Sequence, residues 1–184
     1  TTVADWRDVD ARVQRVLDAR LTPVVAIGEG SLHGLPAFGD DVFDPDVVGR
    51  ECYLAHVYRY ARACVQRYEQ HAAHWQLENE LNEAWLAALG GQRRFQLIGS
   101  AWHDFNFTTA LLRTLATAVA DATHDADAAA VVTMTNLHTD VFEWVHEALE
   151  LPGYYVDAAR AWAPLVTALG IDAYPNMLVA APCA

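Results

Sequence analysis

Apolar positions along this chain follow two alternating periodicities. Trp6, Val9, Val13, Val16 and Leu17 recur at helical spacing and predict an opening helix, with Asp5 as its N-cap. Pro23 to Gly28 is a short apolar run of the kind found in strands buried on both faces. The stretch from Gly28 to Pro45, punctuated by glycine and proline, is too long for a tight turn and reads as a functional loop. A second helix is predicted from about Asp46 to Gln70, with Leu54, Val57, Tyr58, Ala61, Val65 and Tyr68 on one face. It leads into His74 to Glu80, an apolar strand with a polar end.

Beyond a loop containing Gly90 and Gly91, a third helix from about Asn106 to Thr123 presents Leu111, Leu112, Leu115, Val119 and Ala122. Ala129 to Leu137 is a β-branched strand that runs into His138. Asp140 and Glu143 form a capping box for a short helix through Glu150, which Leu151-Pro152-Gly153 ends. Asp157 caps a further helix whose Ala159, Trp162, Ala163 and Val166 face inward. The last strand covers about Leu169 to Tyr174, and Pro175 stops it. With no internal repeat, low-complexity tract or linker, residues 1–184 read as one domain.

Strands alternating with helices mean an α/β fold with a parallel sheet and right-handed crossovers. A doubly wound sheet that bound a nucleotide would carry a glycine-rich βα turn, and the sequence has none. Polar and aromatic residues gather instead just after the strands. His33 follows the first, Asn79 and Glu80 end the second, Asn136 and His138 end the third, and Tyr174 and Asn176 end the fourth. In a barrel, such positions converge on one mouth, where barrel enzymes do their chemistry.

Composition narrows the partners. There are 24 acidic against 12 basic side chains, a formal net charge of -12, and such a surface repels nucleic acid. Hydrophobic residues make up 53% and charged residues 20%, which is globular rather than disordered. No run of eighteen apolar residues predicts a membrane span, and the first residues lack a basic-then-apolar leader, so a soluble chain is expected. Cys52 and Cys64 lie about 18 Å apart along one predicted helix, too far for a disulfide. Together with Cys183 they read as small core hydrophobes. His71 and His74, with Glu69, straddle a helix end and a strand start, so their side chains diverge and no metal site is expected. No cofactor is implied. No G-x-S-x-G elbow is present for serine-hydrolase chemistry.

Glu78-Asn79-Glu80 ends an apolar strand and precedes Leu81-Asn82-Glu83-Ala84-Trp85. Here the sequence resembles the retaining glycoside hydrolases of the large (β/α)8-barrel clan, whose fourth strand ends in Asn-Glu, often followed by Pro-Asn. Leu81 stands where proline is usual. Leu32-His33-Gly34-Leu35-Pro36 looks like the loop after strand three, and Ile171-Asp172-Ala173-Tyr174-Pro175-Asn176 like the end of strand six. The resemblance implies a truncated, partial (β/α)8 TIM barrel of about four parallel strands with flanking helices. It also implies hydrolysis of a β-linked glycoside, with Glu80 as general acid/base and Asn79 bonding the sugar 2-hydroxyl. His33, Trp102, Asn136, His138, Tyr174 and Asn176 would surround a carbohydrate substrate.

In that family a glutamate ending strand seven is the nucleophile, and this sequence has no counterpart to it. A fragment, a reduced protein that pairs with a second copy, or a half supplied by another polypeptide would each account for that. An open four-stranded parallel sheet leaves edges to cover, and a homodimer is the favoured expectation. Glu78, Glu83 or a residue of a second chain would then provide the second carboxylate. The competing readings are a non-catalytic carbohydrate-binding or assembly remnant of a barrel, and a promiscuous ester hydrolase.

Overall fold

The computed structural model describes residues 6–28, 45–72, 74–82, 101–123, 131–139 and 155–173. In chain order the elements are α1 (Arg7–Asp18), β1 (Val24–Ile27), α2 (Pro45–Val48), α3 (Arg50–Tyr68), β2 (His74–Asn79), a 3-10 turn (Ala101–His103), α4 (Phe105–Ala122), β3 (Val132–Thr139), α5 (Tyr155–Trp162), a second 3-10 turn (Ala163–Leu165) and β4 (Ala168–Ala173). The four strands form one all-parallel sheet in the order β1-β2-β3-β4. Sequential neighbours that pair in parallel must return through a crossover, and helices lie in each connection. The α/β class with four parallel strands is therefore present.

Local expectations are corrected at several places. The helix predicted from Asp46 breaks at Gly49, whose φ of +87° lies in the left-handed region that glycine adopts most cheaply. Trp6, rather than Asp5, occupies the N-cap of α1, and it makes no side-chain cap bond. Asp157 lies inside the first turn of α5, where its charge complements the helix dipole instead of capping it. Ala163 is exposed rather than inward-facing, because α5 gives way there to the 3-10 turn that contains Pro164. The capping box at Asp140 and Glu143 falls outside the described residues.

Burial follows strand alternation. Ile27, Trp75, Leu77, Thr135 and Leu137 are buried beneath helices, with α4 against β2 and α5 against β3. Leu111, Leu112, Leu115 and Val119 of α4 mesh with Val57, Ala61 and Val65 of α3 to form the core. Phe105 stacks on Trp162 at 5.8 Å, and the Trp162 indole donates to Thr109 at 2.9 Å, tying α5 to α4. The opposite face is open: Val24 is 56% exposed, and Gln76, Met134, Asn136, Gly170 and Asp172 are half-buried. Among the described residues, no helix is long and apolar enough to cross a membrane.

The first helix is fastened to α3 by a polar and aromatic cluster. Arg67 donates to both carboxylate oxygens of Asp10 at 2.8 and 2.6 Å, and the Tyr68 hydroxyl donates to Asp10 at 2.8 Å. Trp6 stacks on Tyr60 at 6.0 Å and meets Tyr68 edge-on. Cys52 is exposed, a correction to its expected core role, because it lies on the side of α3 turned from α4, whereas Cys64 is buried.

Burial pushes the Cys64 thiol up to about 12, and burial with the Asp10 bond pushes the Tyr68 phenol up to about 12. Both groups keep their protons longer in the folded chain than in the unfolded one. Their stabilisation is thus complete at neutral pH and is lost as pH climbs from about 9 toward 12. Urea unfolding at stepped pH should show falling stability across that window, with a shallower fall in Tyr68→Phe. Equal slopes in the two proteins would contradict the burial of that phenol.

Candidate active site

The carboxyl ends of all four strands share one rim of the sheet, and β2 departs from regular geometry there. Gln76 pairs with Met134 and Asn79 pairs with Asn136, so the step from 76 to 79 on β2 matches the shorter step from 134 to 136 on β3. One extra residue is thereby taken up in β2, over Leu77 and Glu78. Such a bulge re-aims the side chains that follow it. Gln76 and Asn79 consequently reach each other, the Gln76 side-chain amide donating to the Asn79 side-chain oxygen at 2.9 Å.

Two residues of this segment are held in the left-handed region, Glu78 at φ +57° and Glu80 at φ +51°. Each such conformation costs a non-glycine residue on the order of 1–3 kcal/mol, and the surrounding structure must hold it in place. For Glu80 part of that hold is its backbone amide, which donates to the Asn136 carbonyl at 3.0 Å and extends the ladder past the last pair. Both glutamates are buried, Glu78 at 2% exposure and Glu80 at 7%. The Glu78 carboxyl group lies against the end of β1, filling the space that a side chain at position 28 would need. A methyl group built on Gly28 would come within 2.5 Å of the Glu78 carboxyl carbon.

Asn136 reaches the other way, toward β4. Its side-chain amide donates to the Asp172 carboxylate at 3.1 Å, and its side-chain oxygen occupies the place of the side chain that Gly170 lacks. The rim thus presents, from β1 to β4, Gly28, the Glu78-Asn79-Glu80 segment, Asn136, and Asp172. No protein-family model matches the chain, and no curated protein matches it.

Of the expected site residues, the structure brings together Asn79, Glu80 and Asn136 on adjacent strands. The His138 backbone continues β3 and pairs with Asp172, while its side chain lies outside the described residues, as do His33, Tyr174 and Asn176. Trp102 is 3% exposed, its ring meeting Tyr53 and Phe107 edge-on at 5.7 Å each. Burial this deep leaves no open ring face for a sugar-stacking platform. Sequence reasoning passed over Gln76 and the pairing of Asn136 with Asp172. Gly170 was the available signal, because a glycine within a strand often marks the close approach of another group.

Replacing Gly170 with alanine should swing Asn136 aside and break its bond to Asp172, at a cost of about 0.5–1.5 kcal/mol. In an Asn136→Ala background the same replacement should cost much less. A double-mutant cycle by urea unfolding measures the coupling, and strictly additive effects would contradict the contact.

Proposed function

We propose that this chain is a glycoside hydrolase-like protein that acts on a β-linked sugar, with Glu80 as general acid/base. One observation carries the reading: a strained, buried glutamate at the carboxyl rim of a parallel sheet, bonded through its own amide to the neighbouring strand and preceded by an oriented asparagine. A glycosidic oxygen leaves poorly until it is protonated, so an acid must be fixed beside it. Carboxyl-rim placement is where parallel α/β folds assemble such groups from several strand ends. Asn79, held by Gln76, is suited to bond a sugar hydroxyl next to the reacting carbon.

The same reading makes the sheet one part of a (β/α)8 barrel and its open face the lumen side. Helices cover only the other face among the described residues, and Val24 at one edge strand and Ile171 at the other are 56% and 57% exposed. A second copy of the chain, adding four strands, would complete the eight that such a barrel needs.

Glu80→Gln keeps the shape of the side chain and removes the transferable proton. Turnover of aryl β-glycosides should fall roughly 10²–10⁴-fold with an unchanged circular dichroism spectrum; undiminished turnover would end the assignment. Light scattering should give twice the mass of one chain, and a strictly monomeric mass would rule out closure by a second copy.

A further inference from the structure

We propose that Gln76 is a positioning residue: it fixes which end of the Asn79 amide meets the sugar, and so makes Asn79 a hydrogen-bond donor to it. This deepens the reading of the site given above and rests on it, because there Asn79 is the group that bonds a sugar hydroxyl. A primary amide has two ends of nearly the same shape, an oxygen that accepts and a nitrogen that donates. An asparagine beside a substrate can offer either end unless a neighbour breaks that symmetry.

The backbone of the bulge breaks it. The Gln76 side-chain nitrogen lies 3.4 Å from the Glu78 carbonyl oxygen and 2.9 Å from the Asn79 side-chain oxygen. A peptide carbonyl can only accept, so the end of Gln76 that faces it must be the nitrogen. That nitrogen can only donate, so the end of Asn79 that faces Gln76 must be the oxygen. The Asn79 nitrogen is therefore the end turned away from Gln76. The extra residue in β2 makes both contacts possible, because residues three apart in a regular strand lie on opposite faces. Gln76 is half-buried between Trp75 and Leu77, both fully buried, so the strand anchors it on the open face. Held this way, Asn79 meets a hydroxyl through a lone pair on the hydroxyl oxygen. The substrate class is then a β-glycoside that carries an oxygen on the carbon next to the reacting one, and Gln76 acts on that choice only through Asn79.

The test uses the full chain and kcat/KM for a para-nitrophenyl β-glycoside and for its 2-deoxy counterpart. Comparing the ratio of the two between variants cancels the intrinsic reactivity of the sugars. Gln76→Met keeps the length of the side chain and removes its donor. The preference for the 2-hydroxy substrate should fall roughly tenfold, with little change on the 2-deoxy substrate. Gln76→Ala, which cannot crowd the site, should give the same fall. Asn79→Ala should match both, and adding Gln76→Met to it should move the ratio by less than about threefold. A ratio unchanged by Gln76→Met and Gln76→Ala, even if both substrates slow equally, would overturn the role of Gln76 and leave Glu80 standing. So would a second large fall when Gln76→Met is added to Asn79→Ala. No turnover of any aryl β-glycoside by the unaltered protein, or undiminished turnover by Glu80→Gln, would overturn the reading of the site and this inference together.

Discussion

One extra residue in β2 governs the geometry of the rim. Without it, strand alternation would send Gln76 and Asn79 to opposite faces of the sheet. With it, the two amides meet, and the chain turns through left-handed residues on either side of Asn79 as Glu80 rejoins β3 through the Asn136 carbonyl. Left-handed glutamates are costly, and the sheet can hold them because the core beneath is close-packed. Trp75 and Leu77, before and within the bulge, are fully buried against the helices. Hydrophobic anchoring on one face therefore fixes polar placement on the other.

Two glycines complete the arrangement by what they lack. Gly28 leaves room for the Glu78 carboxyl group, and Gly170 leaves room for the Asn136 amide. Gly28 directly follows β1 and Gly170 lies within β4, each beside the strand of the residue it accommodates, so the polar groups of the rim lean sideways toward neighbouring strands. Interstrand leaning of this kind couples positions far apart in sequence, such as 136 with 172, through ordinary hydrogen bonds. The helices do a different task. Their bonds, such as Arg67 to Asp10 and Trp162 to Thr109, lock the layer that supports the sheet.

Periodicity made the sheet legible before any coordinates. The apolar runs at Val24–Ile27 and His74–Asn79 and the leucine face of Phe105–Ala122 lie within a residue or two of their predicted places, because burial on a face imposes a readable spacing. The break at Gly49 was missed, since a single glycine within a helical pattern gives only a weak signal. Trp102 was misleading for a different reason: an aromatic side chain after a strand serves a core or a pocket equally well, and only its neighbours Tyr53 and Phe107 decide. The bulge and the Asn136–Asp172 contact depend on register between strands, which no local pattern encodes.

Affinity labelling tests the central claim, that Glu80 faces a bound sugar, most directly. An N-bromoacetyl glycosylamine carries its alkylating carbon to where the glycosidic oxygen would sit, and peptide mass spectrometry locates the ester it forms. The account predicts one label per chain on Glu80, suppressed by excess free sugar. Labelling that is scattered over other carboxylates and indifferent to sugar would contradict it.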